Sequence, residues 1–491
     1  MEHYDLCVIG GGPAGYAAAM RAVDFGRSVL LLESNRIGGA GLYNGALSSK
    51  TFWELSKEIA QIRTRFAAYH EVLPEVRFGS VLKETDEAVF ERSAQMEEHL
   101  RLVEVEQKER FKFVRGSGCL ASPTEIEVRG DFDPFTMQAD HTIIATGSRP
   151  RKLPNVPIDE HIILTSDGIG SLRDFPESLV IVGAGVIGCE FATIFSNFGK
   201  TRVHLIAKDD HILPFEDAEL SAVIEQNMIT KGVVIHRNAR LAEMDIVAGR
   251  VAYKLSHADG TTEEFEAEKA LISIGRVPNI ENTGIRELGV ALDRGGAIDD
   301  QQTQTSIPNI YAVGDITADI ALVNVGELEG RYAVERIFGQ PDHPLIYENI
   351  STIMFLDPEV AGVGMNEQQA QKTGIAYRSA SFDFRCVPRA IAMRKTQGFF
   401  KILVSDDEEM RILGMRALGE HASTAIQAVS LLISMKRGIR ELAELIHPHP
   451  SIIEGIQECA RMLLGTSIYK PHLFPKYLRT RHWRDGKDNS S

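Results

Sequence analysis

Short apolar runs alternate along this chain with longer stretches in which apolar residues recur at helical spacing. "YDLCVIGGGPAGYAAAMRAVDFGRSVLLLE" is the first example: an apolar run, a knot of glycines, an amphipathic stretch and a second apolar run that ends in an acid. Short apolar runs bounded by glycine predict buried strands, and the longer stretch predicts a helix. "SLVIVGAGVIGCEFATIFSNFGKTRVHLIA" repeats the order of strand, glycine turn, helix and strand. Each copy is followed later by a further apolar strand ending in glycine, "HTIIATGSRP" and then "ALISIGRVPN". A lone G-x-G-x-x-G is weak evidence, but two copies, each after a strand and before a helix, predict a duplicated dinucleotide-binding unit.

Elsewhere the pattern differs. "TDEAVFERSAQMEEHLRLVEVEQKERF" predicts a charged, solvated helix on the first domain. From about Pro344, "ISTIMFLDPEVAGVGM" and "GFFKILVSDDEEMRILGMRALG" predict strands joined by turns, and "ASTAIQAVSLLISMKRGIRELAELI" predicts a helix. The fold class is therefore α/β, with two nested Rossmann-like dinucleotide-binding domains followed by an α+β domain. The expected boundaries are 1–152 and 273–343 for the two parts of the first nucleotide domain, 153–272 for the second and 344–470 for the α+β domain. The basic tail 471–491, "KPHLFPKYLRTRHWRDGKDNSS" from Lys470 on, shows no clear period and is expected to be a surface arm or a disordered end.

Composition narrows this further. A chain of 491 residues exceeds what one core supports, so about three domains are expected. A formal charge of −15 repels phosphate over most of the surface, so no nucleic-acid partner is expected. The apolar stretch around Gly183–Phe195 carries Glu190 and reads as strand, turn and helix, so no membrane span is expected. The N-terminus runs directly into a strand without a basic region and apolar core, so secretion is not expected. Cys7, Cys119, Cys189, Cys386 and Cys459 form no local redox or zinc motif, which fits a reducing cytoplasm and no metal centre.

The glycine turns have a specific mechanics. Gly10 makes the tight turn, Gly12 lets the backbone approach a pyrophosphate, and Gly15 permits close helix–strand packing. Pro13 and Ala14 begin the helix whose free N–H groups and positive dipole end face the phosphates. Glu33 ends the second strand, where a carboxylate accepts ribose hydroxyls. In the second copy the glycines are Gly183, Gly185 and Gly188, with Val186 and Ile187 at the helix start. The strand-end acid is replaced there by Ala207, followed by Lys208. Losing the acid removes repulsion of a 2′-phosphate, which leans the second site toward NADP. Lys208 either pairs with that phosphate or is simply solvated.

Taken together, "GGGPAG", "ATGSRP", "GAGVIGCE", "GRVPN", "NIYAVGD" and "HPHPSIIE" make the chain resemble the flavoprotein pyridine nucleotide-disulfide oxidoreductases, and among them the dihydrolipoamide dehydrogenase-like enzymes. The resemblance extends to about Leu464. It implies FAD in the first unit, NAD(P)H as co-substrate in the second, and a homodimer built through the third domain. It adds Gly39, Gly118, Thr146, Gly147 and Gly275 to the cofactor-binding set. Asp315 matches the residue that holds the flavin ribityl chain, and Val323 a nearby backbone contact. Lys50 matches the lysine beside flavin N5, and Glu190 its carboxylate partner.

One departure is decisive for function. Members of the family carry two cysteines, spaced C-x4-C, in the segment that is here "GGAGLYNGALSSK", residues 38–50. Aligned on Gly38-Gly39 and Ser49-Lys50, those positions are Gly41 and Ala46. Neither forms a thiolate, and a serine hydroxyl offers no reversible two-electron couple. Removal of the two sulfurs is expected to leave a slot lined by Gly41 and Ala46, partly refilled by Tyr43. His449 and Glu454 match the family's catalytic dyad, and here they either remain as a structural remnant or protonate a different acceptor. The expected activity is hydride transfer from NAD(P)H to FAD and then directly to a small-molecule acceptor such as a quinone. A soluble transhydrogenase-like enzyme and a low-turnover flavin-bearing binding or sensor protein are the alternatives.

Overall fold

The computed structural model describes residues 2–69, 75–317 and 319–488. They form two compact units, one of residues 1–176, 243–252 and 266–345 and the other of 177–242, 253–265 and 346–491.

In the first unit the strand His3–Ile9 lies parallel between Val29–Glu33 and Phe132–Ile144, with Ile9 opposite Leu32 on one side and Ile144 on the other. Phe111–Arg115 extends the sheet beyond Val29–Glu33, Glu125–Gly130 and Ser117–Leu120 extend the other edge, and Ile310–Ala312 also pairs with Phe132–Ile144. The runs read as strands are continuous and apolar because both faces are covered. The carboxyl ends of Ile9, Leu32, Ile144 and Ala312 thus align in one row, where ligands bind in sheets of this type.

The helix Pro13–Asp24 follows the first glycine turn and buries Ala14, Gly15, Ala18, Ala19 and Ala22. Val323–Phe338 buries Gly326 and Gly330 against it: a Cβ at Gly330 would lie 2.2 Å from the Ala14 carbonyl oxygen. Small residues on both helices let the backbones approach this closely. The charged helix expected before residue 111 spans Phe78–Gln107 and keeps one apolar stripe, Met96, Leu100 and Val103, against the core.

The second unit contains the parallel strands Ser178–Val182, Arg202–Ile206 and Val234–His236, with Ile206 opposite Val182 and His236. The helix Val186–Phe198 follows the second glycine turn and is buried from Gly188 to its end. The same unit holds an antiparallel sheet of seven strands, ordered Ser351–Met354, Val360–Gly364, Ile412–Leu418, Phe399–Ser405, Tyr377–Asp383, Leu478–Arg484 and Lys487–Asp488. The single helix expected over residues 422–446 is three short ones, Ala422–Ala425, Gln427–Ser434 and Arg440–Glu444. Lys436 turns left-handed at φ +53° and Gly438 bridges to Arg411, where a Cβ would lie 2.3 Å from the Glu409 carbonyl oxygen.

The tail corrects another expectation. Leu478–Arg484 is not a loose arm but a strand paired along its length with Tyr377–Asp383, Phe382 opposite Leu478 and Tyr377 opposite Trp483. The rings of Tyr377 and Trp483 stack at 5.8 Å. Its arginines disguise the strand in sequence, yet they are partnered: Arg479 reaches Glu219 at 3.0 Å and Arg481 reaches Glu367 at 2.8 Å. Residues 489–491 lie outside the described residues.

Those acids belong to a buried cluster. Lys401, almost fully buried, places Nζ 2.9 Å from Asp217 and 2.8 Å from Glu367, and also pairs with Glu219. Asp217, Glu219 and Glu367 are close enough together to ligate a metal ion, but the Lys401 ammonium is their counter-charge. Burial alone would lower its pKa, and the charges of Glu219, Glu367 and Asp217 more than offset that, holding it above the ordinary lysine value.

One pH dependence follows from the parallel strands. His204 Nδ1 lies 3.1 Å from His236 Nε2, with the two rings stacked. Burial lowers both pKa values; Arg202 lowers that of His204 further, and His204 and His257 lower that of His236 while Glu263 opposes. The folded state therefore binds fewer protons than the unfolded chain, whose histidines titrate near about 6.5. Stability contributed by the neutral pair is present above about pH 6.5 and is lost as pH falls below it. Thermal unfolding between pH 7 and 5 should show this loss, and His236→Asn should reduce it. Solvent screening keeps the effect under about 1 kcal/mol. A pH profile unchanged in the variant would refute the assignment.

Candidate nucleotide-binding and redox site

The first unit gathers most of the expected cofactor residues at the carboxyl ends of its strands. Gly10 adopts φ +112°, a conformation open to glycine, and a Cβ there would strike the Ala145 carbonyl oxygen at 2.3 Å. Gly15 packs as anticipated, since its Cβ would lie 1.9 Å from the Gly10 carbonyl oxygen. Gly12 faces open space, with nothing within 4 Å of a Cβ, and no side chain caps the helix that begins at Pro13. First-turn N–H groups have no partner within their own helix, so an uncapped start opening on free space fits a pyrophosphate.

Glu33 Oε2 accepts the Gly11 N–H at 2.7 Å and Oε1 accepts the Asn35 N–H at 2.7 Å. Burial pushes its carboxyl above the usual range, and the two N–H groups act in the opposite direction. Both bonds fix the carboxylate beside the glycine turn, where a ribose would lie.

The segment 38–50 rests on that turn. The Gly38 N–H donates to the Gly11 carbonyl oxygen at 2.8 Å, and a Cβ on Gly39 would lie 3.3 Å from Gly12 Cα. At Gly41 a Cβ would lie 2.6 Å from Pro13 Cγ and 3.9 Å from Val323 Cγ2. The slot expected at Gly41 is therefore absent: the lost side-chain volume is taken up by close packing on Pro13. Tyr43 does not refill it either. Its hydroxyl donates to Ser93 Oγ at 2.8 Å, while Arg36 lies over its ring. Ala46 opens the helix Ala46–Tyr69, and Lys50 one turn later donates to Ser49 Oγ at 3.2 Å.

Three motif ends converge nearby. Thr146 Oγ1 donates to the Asn279 carbonyl at 2.7 Å and Asn279 Nδ2 donates back to the Thr146 carbonyl at 2.9 Å, joining "ATG" to "GRVPN". The Gly147 carbonyl accepts the Asn279 N–H, and the Gly275 carbonyl accepts the Arg151 N–H, both at 2.9 Å. Asp315 follows Ile310–Ala312 and accepts a hydrogen bond from Ser148. Gly314 is held by Glu329, a buried acid on Val323–Phe338 that sequence reasoning missed, at 2.6 Å. Gly118 lies within the sheet, where a Cβ would meet Leu32 Cδ1 at 2.7 Å, so only its backbone could face a ligand.

In the second unit Gly183 repeats the positive φ of Gly10, at +109°, and Gly185 repeats the open space of Gly12. Val186 and Ile187 start the uncapped helix and Gly188 is buried within it. Ala207 is buried at the strand end, its N–H bonded to the His236 carbonyl at 2.9 Å, and Lys208 beside it is exposed. Glu190, buried, accepts the Phe355 N–H at 3.0 Å. His449 Nδ1 lies 2.7 Å from Glu454 Oε1, and Glu454 Oε2 accepts the Ser451 N–H at 2.9 Å. With Nδ1 so held and the side chain 68 % exposed, Nε2 is the nitrogen presented for proton exchange.

All five cysteines are free thiols. Burial raises the pKa of each, including Cys7 and Cys119 in the first unit. None has the lowered pKa of a reactive thiolate.

Residues 4–330 match the sequence model of the pyridine nucleotide-disulphide oxidoreductases, and residues 350–460 match the dimerisation domain of the same group. The chain belongs to the pyridine nucleotide-disulphide oxidoreductase family. It is 34% identical over 469 residues to a dihydrolipoyl dehydrogenase of Geobacillus stearothermophilus, covering 95% of this chain and 97% of that protein. A dihydrolipoyl dehydrogenase of Chlamydia muridarum is 32% identical over 475 residues, 96% of this chain and 99% of its own length. Among solved structures, LpdA from Mycobacterium tuberculosis superposes with a TM-score of 0.84 at 27% identity, covering 94% of this chain and all of that one. The HOCl-induced flavoprotein disulfide reductase RclA from Escherichia coli shares the fold, with a TM-score of 0.82 at 22% identity over 94% of this chain and 100% of that one.

FAD and NAD(P)H are the family's usual cofactors, and the glycine turns described above fit both. The matched dimerisation domain supports a homodimer. Among the described residues no helix is long and apolar enough to cross a membrane.

Proposed function

We propose that this family member is a cytoplasmic FAD-dependent NAD(P)H oxidoreductase that passes electrons directly to a diffusible non-disulfide acceptor, such as a quinone. The observation that carries the reading is the segment 38–50, which rests on the glycine turn and contains no cysteine. Bound FAD would supply the two-electron chemistry, accepting hydride from NAD(P)H and giving it up to the acceptor. The chain's own residues bind and orient. The 10–15 turn receives the pyrophosphate, Glu33 the ribose and Asp315 the ribityl chain. Lys50 supplies positive charge beside the ring. Gly183, Gly185 and the helix start at Val186 receive the nicotinamide nucleotide. The missing strand-end acid and the exposed Lys208 support a preference for NADPH over NADH.

His449, held through Nδ1 by Glu454, is the proton donor to the acceptor from Nε2. His449→Ala should slow quinone reduction about a hundredfold, in the range of general acid catalysis, while flavin bleaching by NADPH stays within about twofold. Stopped-flow measurement of the two half-reactions under anaerobic conditions tests both claims. Equal loss in both would make the dyad structural. Failure of NADPH and NADH alike to bleach the flavin would sink the enzymatic reading.

A further inference from the structure

We propose that Ser148 and Arg276 are positioning residues for Asp315, fixing the carboxylate that holds the sugar-alcohol chain of FAD. The proposal rests on the reading of Asp315 given above and concerns what aims that side chain. Ser148 and Arg276 begin two short antiparallel strands, Ser148–Pro150 and Arg276–Pro278, with Pro278 opposite Ser148 and Arg276 opposite Pro150. Arg276 Nε donates to Ser148 Oγ at 2.7 Å, and its Nη2 donates to the Ser148 carbonyl at 2.7 Å. Ser148 Oγ in turn donates to Asp315 Oδ2 at 2.6 Å.

The direction of this relay is dictated by the donor inventory. A guanidinium only donates, so the serine oxygen accepts from it and spends its single proton on the carboxylate. A serine hydroxyl is otherwise a free rotor; here the arginine removes that freedom. The two-point grip of Arg276 on one serine also locks the guanidinium, whose Nε stays 3.9 Å from Asp315 Oδ2. One acceptor site of Oδ2 is thereby filled by the protein, which turns Oδ1 toward the role of accepting from a ligand hydroxyl. Arg276 also sets its charge against Asp167, whose carboxyl burial pushes up and whose Oδ1 is buried without a hydrogen-bond partner. The contact of Arg276 with Asp315 passes through the serine hydroxyl.

The test is a double-mutant cycle read by titrating apoprotein with FAD, following fluorescence quenching and the visible spectrum of the bound flavin. Ser148→Ala should raise the dissociation constant about tenfold, the equivalent of one charge-assisted hydrogen bond, and alter the flavin absorption envelope. Ser148→Thr, which keeps the hydroxyl, should restore both. In an Asp315→Ala background the Ser148→Ala change should have no further effect. Arg276→Met, which frees the serine rotor, gives the same test should Ser148→Ala fail to fold. An Asp315→Ala chain that binds FAD normally would overturn the role of Asp315 itself. Normal binding by both Ser148→Ala and Arg276→Met, with weakened binding by Asp315→Ala, would overturn only the positioning role. Additive losses in the double variant would also overturn it.

Discussion

Lipoamide should be turned over by this chain at least about a thousandfold more slowly than by the Geobacillus stearothermophilus relative assayed in parallel, as expected when the nucleophilic pair is missing from a concerted site. The argument is chemical. Exchange with a disulfide requires a thiolate that attacks and a second sulfur that resolves the mixed species. Positions 41 and 46 offer hydrogen and methyl. The thiols present elsewhere are shifted toward the inert protonated form by burial. Menadione or dichlorophenolindophenol, which need no sulfur partner, should be reduced by the same preparation. Equal lipoamide rates for the two proteins would show that a disulfide is supplied by a route the segment 38–50 does not reveal. Grafting cysteines back at Gly41 and Ala46 should not simply restore the activity, because a side chain at 41 meets Pro13 Cγ at 2.6 Å.

The second large effect concerns stability. Lys401→Met should destabilise the chain by about 3–5 kcal/mol, the usual cost of removing one partner from a buried ion cluster. Asp217 and Glu367 would be left buried with their shared cation gone, and of these two acids Arg481 reaches Glu367 alone. Urea unfolding gives the difference directly. A change below about 1 kcal/mol would mean that the acids take up protons or water at little cost. The triple change of Lys401, Asp217 and Glu367 to apolar residues should recover much of the loss, since the two buried carboxylates leave with the lysine while Glu219 keeps Arg479 and Arg481 keeps Asp488.

Much of the site was legible in the sequence because the constraints there are local. A positive φ at Gly10 or a close approach at Gly15 forces the residue type, and the spacing of the glycines follows from the turn itself. The His449–Glu454 pair lies five residues apart and needed only a turn to bring the two together. What was not legible depends on residues distant in the chain. Nothing in "ATGSRP" alone announces that Ser148 will meet Asp315, 167 positions later. Glu329, three residues past Gly326 on an amphipathic helix, reads as a solvated acid until the fold buries it against the Gly314 N–H. Gly41 shows the same limit: a missing side chain suggests free space in the sequence, whereas in the fold the loop settles onto Pro13, as close-packed interiors require.

The strand Leu478–Arg484 has a practical consequence. The matched dimerisation domain ends at residue 460, and a chain cut there for expression would strip the Tyr377–Asp383 strand of its outer neighbour. Its row of backbone donors and acceptors would become an open template for adhesion between molecules, with the indole cover of Tyr377 gone as well. Insolubility of such a shortened product would reflect the missing sheet margin rather than any defect in the catalytic parts.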